Sequence, residues 1–239
     1  MSLSQEISGW IKQKVRDAGG VGIVLGLSGG IDSAVVGALA KMALGENVLG
    51  LIMPCHSHPI DEEYAKLVAD TFGIKTERID LGPVFDCFLN VLPPGNDLSI
   101  ANLKPRLRMM TLYYHASSLG YLVAGTGNKS ELSIGYFTKY GDGGVDILPI
   151  GSLLKTQVRE LARELGVPQS VVERPPTAGL WAGQTDEAEM GLSYEDLDRT
   201  IVSVEEADTS TVDPDILSRV TTMMKASAHK RAVPEVFKK

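Results

Sequence analysis

Cysteine is scarce: Cys55 and Cys87 are the only two in 239 residues. They are too few for a disulfide framework and too far apart for a Cys-x-x-Cys redox pair, so an ordinary core in a reducing cytoplasm is expected. Positive charge is also in deficit. With 23 Lys and Arg against 30 Asp and Glu, the formal net charge is −7. That argues against a nucleic-acid partner, whose phosphates need a basic face, but leaves room for a compact anionic ligand served by a local cluster of cations. No apolar run approaches the ~18 residues of a membrane span, and residues 1–9 lack the apolar stretch of a signal peptide, so no membrane partner is expected. Internal repeats and low-complexity tracts are missing as well.

What is present suits a globular enzyme. Apolar residues make up 44% and charged residues 22%, and the length fits one large α/β domain over residues 1–239. Residues 21–27, Val-Gly-Ile-Val-Leu-Gly-Leu, form a short apolar run of the kind buried on both faces of a parallel sheet, and similar runs fall at 48–53 and 121–124. Helical spacing appears between them: at Ile60, Tyr64, Leu67, Val68 and Phe72, and again at Leu154, Val158, Leu161, Ala162 and Leu165. A helix over 33–43 is apolar almost all round. Another is predicted over 102–118, with Pro105 tolerable in its first turn. Strands alternating with helices predict a doubly wound, mostly parallel, Rossmann-like sheet flanked by helices. Residues 135–151 read as a long ordered loop and 168–191 as a second irregular stretch. Ile216, Val220, Met223 and Met224 mark a last helix before His229-Lys230-Arg231.

The sharpest local signal comes directly after the first strand. Gly26 and Leu27 lead into Ser28-Gly29-Gly30-Ile31-Asp32-Ser33, after which a helix opens. A strand, three small residues and a helix start aim backbone N–H groups and the positive end of a helix dipole at one spot, which attracts phosphate. No Lys comes after the glycines, so this is not the common Gly-x-x-x-x-Gly-Lys-Ser loop, and it is not Gly-x-Gly-x-x-Gly. Taken alone it is also compatible with a tight turn capped by Asp32 or Ser33.

In context, Ser-Gly-Gly-x-Asp-Ser resembles the signature of the ATP pyrophosphatase family, which splits ATP to AMP and pyrophosphate on an adenine nucleotide alpha hydrolase-like fold. Within that family the chain is similar to the ammonia-dependent NAD synthetases over nearly its whole length. The resemblance rests on Lys104-Pro-Arg-Leu-Arg-Met109, Gly125-Thr-Gly-Asn-Lys-Ser-Glu131, Tyr136-Phe-Thr-Lys-Tyr-Gly-Asp-Gly-Gly144, Pro149-Ile-Gly151 with Lys155-Thr-Gln157, Pro176-Thr-Ala178, Gly183-Gln-Thr-Asp-Glu187 and His229-Lys-Arg231.

The resemblance implies a ligase that activates the carboxylate of deamido-NAD with ATP, forms an acyl-adenylate, releases pyrophosphate and adds ammonia. It implies Mg²⁺ held by Asp32 and Glu131, with Asp32 and Lys155 central to catalysis. ATP would be held by residues 26–33 with Thr126, Lys155 and Thr177. The deamido-NAD side would be Arg106, Lys139, Asp146, His229 and Lys230. Each has an ordinary alternative: Asp32 as a cap, Glu131 as a first-turn acid, the others as solvated charges. Lys155 is the exception, because a cation at a helix start opposes the dipole unless an anion offsets it. Cys55-His-Ser-His58 places three metal-capable side chains close together, but nothing supplies the rest of a closed zinc site, and the stretch reads better as a loop near the adenine. Tyr136, Phe137, Tyr140 and Trp181 are candidates to stack on a ring or to fill the core. The family also implies a homodimer, and no glutaminase domain is expected, so free ammonia is the expected nitrogen donor. The rival enzyme readings are another pyrophosphatase-loop ligase or a tRNA thiolase, the latter wanting paired cysteines and a basic surface; a rival of another class is a non-catalytic adenine-nucleotide sensor, which has no need of Glu131, Lys155 and the second anion cluster together.

Overall fold

The computed structural model describes residues 1–177, 179 and 185–237. In chain order it contains α1 (Leu3–Asp17), β1 (Gly22–Gly26), α2 (Ile31–Leu44), β2 (Val48–Ile52), α3 (Pro59–Phe72), β3 (Lys75–Arg78), α4 (Gly82–Val91), α5 (Asp97–Ala101), α6 (Leu103–Leu119) and β4 (Tyr121–Val123). After these come α7 (Lys129–Ile134), α8 (Lys155–Leu165), α9 (Gln169–Val172), α10 (Asp186–Met190), α11 (Tyr194–Glu205), α12 (Pro214–Ala226) and α13 (Ala228–Arg231).

The four strands pair in parallel in the order β3-β2-β1-β4. Successive residues of β1 face opposite ways: Ile23 and Leu25 join a core with α1, α2, α3 and α8, whereas Val24 joins a second core with α6 and α4. The sheet is therefore covered on both faces, which is why its central strands are apolar throughout rather than alternating. The all-round apolar character of α2 has the same origin. It is packed by α1, α3 and α8, and Val35, Val36 and Leu39 are fully buried, each stabilising the fold by roughly 1.5–3 kcal/mol. A third cluster, with Ile134, Leu154, Tyr194, Leu197, Ile201 and Val220, joins α7 to α11 and α12.

The strands at 21–27, 48–53 and 121–124, the two central helices, the loop over 135–151 and the last helix all stand where the sequence places them. Pro105 lies in the first turn of α6. The stretch over 168–191 is less irregular than expected, since it holds α9 and α10, each only about one turn and too short to show a period. Ala178, Trp181, Gly183 and Gln184 lie outside the described residues. No helix among the described residues is long and apolar enough to cross a membrane.

The strand order places the site. Connections run outward from β1 in one direction through β2 and β3, then return to the other side for β4, so the chain opens a crevice beyond the carboxyl ends of β1 and β4. Residues 27–33 leave β1 there, and residues 124–131 leave β4 there.

Candidate active site

Gly29 makes the turn out of β1 with φ +79°, and a Cβ on it would run into the Asp61 carbonyl oxygen and the Tyr64 side chain. Only glycine satisfies both constraints. Gly30 is the N-cap of α2, in an extended conformation, and no side chain caps the helix. The Ser33 hydroxyl donates to the Gly30 carbonyl at 2.9 Å, and the Ser28 N–H donates to Ser33 Oγ at 3.3 Å. The turn is thus not a self-capped one, and its first N–H groups and the helix dipole are left for an anion.

Asp32 is instead tied to residues far along the chain. Lys155, at the first turn of α8, reaches it with Nζ 2.5 Å from Oδ2 and lies 3.3 Å from Glu131 Oε1. Asn128 Nδ2 donates to Asp32 Oδ1 at 2.9 Å, while its own Oδ1 accepts from the Glu131 N–H, and Glu131 Oε2 accepts from the Asn128 N–H. Glu131 is therefore both a capping-box acid of α7 and a partner of the lysine. Tyr194 stacks its ring 5.0 Å from the ammonium and donates its hydroxyl to Asp186 Oδ2 at 2.9 Å. Tyr136 donates to Asp186 and Glu189.

The Lys155 side chain is only 2% exposed. Burial works against its charge, but Asp32 and Glu131 outweigh that and hold its pKa above the ordinary value. Burial raises Glu131 to about 7, opposed by Lys155 and assisted by the like charge of Asp32. Asp186, only 4% exposed, is raised by burial too. Three carboxylates thus share one cation.

A second buried knot fixes this arrangement. Asp198, from α11, accepts from the Ser130 hydroxyl and from both the N–H and hydroxyl of Thr156, each of the latter at 2.9 Å. Ser130 Oγ in turn accepts from the Lys155 N–H at 2.9 Å. The neighbours of Glu131 and Lys155 are therefore held by one carboxylate.

The groups open onto a cleft of about 740 Å³. Gly26, Leu27, Ser28, Gly30, Ile31, Asp32, Ser33, Thr126, Glu131, Lys155 and Thr177 line it, which brings together the expected nucleotide and metal residues, with Gly29 just behind. Of the second group, Lys230 lines an adjoining cavity of about 420 Å³, donating to the carbonyls of Gly135 and Phe137. Lys139 Nζ donates to the His229 carbonyl at 2.6 Å, and Arg106 to the Lys139 carbonyl at 3.4 Å, so these three form one chain of contacts beside Lys230. Asp146 stands apart. It accepts from the Val123 N–H and from Tyr113, whose pKa is pushed up to about 12 by burial and that bond, so in this structure it completes the edge of β4.

Tyr136 lines both cavities and Phe137 the smaller one, whereas Tyr140 is exposed. The Cys55–His58 stretch does line the cleft, but its side chains diverge: the thiol is buried, His56 pairs with Asp86 at 2.8 Å, and His58 caps α3. The sequence reading overlooked Asn128, Asp186, Tyr194, Asp198 and Arg108. Of these, Asn128 was readable, because Asn128-Lys-Ser-Glu131 is a capping-box pattern.

Comparison with known proteins agrees with the geometry. The family model for NAD synthase matches residues 3–234. The NH(3)-dependent NAD(+) synthetase of Carboxydothermus hydrogenoformans is 47% identical over 238 residues, covering 98% of this chain and 96% of that protein. Among solved structures, an NMN synthetase from Francisella tularensis superposes with a TM-score of 0.92 at 36% identity, covering 99% of this chain and 98% of the other. The NH3-dependent NAD synthetase from Campylobacter jejuni, in complex with the nitrate ion, gives 0.87 at 32% identity with the same coverage.

Proposed function

The chain belongs to the NAD synthase family, and we propose that Asp32, Glu131, Lys155 and the uncapped start of α2 share the chemistry of its reaction. That reaction converts deamido-NAD, ATP and ammonia to NAD, AMP and pyrophosphate. A carboxylate oxygen of the acid attacks the α-phosphorus of ATP, the bond to the bridging oxygen breaks, and pyrophosphate leaves with the electron pair. Ammonia then attacks the acyl carbon of the adenylate, AMP leaves with the pair from the broken C–O bond, and the surplus proton goes to solvent.

The observation that carries the reading is the buried Lys155 ammonium, set between Asp32 and Glu131 beside a helix start with no cap. Such an arrangement has little purpose in a folded chain without a polyphosphate to receive it, because buried charge is costly to assemble. The α2 N–H groups and Lys155 meet phosphate oxygens, with Thr126 and Thr177 beside them. Asp32 and Glu131 fit Mg²⁺: two hard carboxylates already converge on one cation, and phosphate and water complete the oxygen set that ion prefers. When bound, Mg²⁺ supplies positive charge to the phosphate oxygens. Arg106, Lys139, His229 and Lys230 take the dinucleotide acid, and Asp146 its ribose. We read residues 1–239 as one synthetase domain that takes free ammonia in the cytoplasm. It works as a homodimer, for which the exposed Met110 and Tyr114 on α6 offer an apolar face.

The test is pyrophosphate release with Mg²⁺ and ammonium, using deamido-NAD and, as a competitor, the mononucleotide acid suggested by the Francisella relative. Release driven by deamido-NAD and abolished by chelation is expected. No release above background with either acid would sink the assignment.

A further inference from the structure

Four basic residues line the nucleotide cleft: Arg78, Arg108, Lys155 and Arg174. Three of them already have acids. Arg78 pairs with Glu62 at 3.0 Å, Lys155 with Asp32 and Glu131, and Arg174 with Asp61. Arg108 differs. Its Nε donates to the Met53 carbonyl at 3.1 Å and its Nη2 to the Ser57 hydroxyl at 3.2 Å, both neutral acceptors, and no carboxylate among the described residues forms an ion pair with it.

A guanidinium carries five N–H donors in a planar fork, so these two bonds leave most of its capacity unused. The side chain is half-buried, and burial lowers its pKa against the opposing pull of Asp142 and Asp61. Charged side chains are seldom withdrawn from water without a partner, and the carboxylates whose charge reaches it, Asp142 and Asp61, form no ion pair with it among the described residues. The partner belongs to something that arrives.

Its position says what. Arg108 lines both the nucleotide cleft and the adjoining cavity, together with Gly26, Met53, Thr126, Tyr136 and Asp142. If ATP fills the first and the dinucleotide acid the second, the carboxylate can meet the α-phosphorus only where the two spaces join. We propose that Arg108 binds the α-phosphate at this junction, holding its oxygens while the acid's C–O–P bond forms and the bond to pyrophosphate breaks. This role rests on the adenylation of deamido-NAD by ATP. In it the arginine contacts the reacting phosphate in the transition state and in the adenylate, so its removal acts on turnover more than on ATP capture.

The experiment uses the full chain with Mg²⁺, ATP and deamido-NAD and without ammonium, and monitors acid-dependent exchange of labelled pyrophosphate into ATP. Arg108→Ala should lower the exchange kcat by about 10²- to 10³-fold, the usual effect of losing one transition-state donor, with the KM for ATP changed by less than about fivefold. Arg108→Lys should recover about tenfold of that loss, since the charge survives and the fork does not. Ser57→Ala removes one acceptor of the arginine while sparing the cation, and should cost at least about tenfold less exchange than Arg108→Ala.

Unchanged exchange in Arg108→Ala overturns the proposal, as does a raised KM for ATP at unchanged kcat. A loss in Ser57→Ala equal to that in Arg108→Ala overturns it too, by showing that the arginine serves only to hold the 53–57 loop. Circular dichroism confirms folding. Should the alanine variant misfold, Arg108→Gln, which keeps a donor for the Met53 carbonyl, carries the same comparison. Absence of exchange in the parent chain would instead discard the adenylation reaction itself, and this role with it.

Discussion

Replacing Lys155 by Met tests the site through stability rather than through turnover. The substitution keeps much of the side chain's volume and removes only the cation, leaving the Asp32 and Glu131 carboxylates, 17% and 16% exposed, facing each other. Breaking a buried ion pair by removing one member typically costs about 3–5 kcal/mol. For a chain of this size that lowers the melting temperature by on the order of 10 °C. The deficit must also depend on pH. Glu131 is held near 7 against an ordinary 4.5, so the folded state keeps a proton that the unfolded chain has released. A group raised in this way stabilises the fold below about 4.5 and loses that contribution as pH climbs through its folded value. Without Lys155, which lowers Glu131, the folded value rises further and the loss deepens. Calorimetry of both proteins without nucleotide at pH 5 and pH 8 is the assay. A large deficit at pH 8 that shrinks at pH 5 is expected. A deficit under about 2 °C at pH 8, or one equal at both pH values, would refute the account of three acids sharing one cation.

Two further substitutions probe the supports of the site. Asp198→Asn keeps the shape but gives up charge-assisted bonds from Ser130 and Thr156, so it should destabilise by about 1.5–3 kcal/mol in urea titrations and reduce kcat as α7 and α8 lose their common anchor. An unchanged midpoint would show that the knot is dispensable. Gly29→Ala puts a Cβ at φ +79° against the Asp61 carbonyl, at a backbone cost of about 1–2 kcal/mol before any clash. Calorimetric titration with MgATP should show at least a tenfold weaker affinity, and normal binding would mean the turn is not the phosphate cradle.

The buried parts of the fold were legible because burial leaves a pattern. β1, β2 and β4 are apolar runs, α2 is apolar almost all round, and α3 and α8 repeat at three and four. β3 left none. Lys75-Thr-Glu-Arg78 pairs only with β2 at the sheet edge, and its side chains are mostly exposed, so nothing selects for apolar residues there. α11 carried a usable signal, Ser193 capping through Asp196 and then Tyr194, Leu197 and Ile201 on one side, but its many acids obscured it. In the site, Asp32, Glu131 and Lys155 were named from the family resemblance, and their side chains meet in the structure. Asp186 lies within the Gly183–Glu187 motif segment but was given no role, and Tyr194 was not readable, because what makes them part of the cluster is the packing of α10 and α11 against α7. Arg108 lies within the Lys104–Met109 motif, but that its direct partners are neutral acceptors rather than carboxylates is visible only in three dimensions.

The strand order has a consequence in time. β1, α2, β2, α3 and β3 are consecutive, and each strand pairs with its predecessor in the sheet, so this half can form through short-range contacts as it leaves the ribosome. β4 must then return to the far side of β1, and the residues that answer the first loop ride on later helices: Glu131 on α7, Lys155 on α8, Asp198 on α11. A nascent chain halted before α8 would own a finished turn after β1, with Asp32 hydrogen-bonded to Asn128 but without the cation of Lys155. With the site proposed above, nucleotide binding becomes available only after most of the polypeptide has emerged, and affinity for ATP would mark the end of folding rather than its beginning.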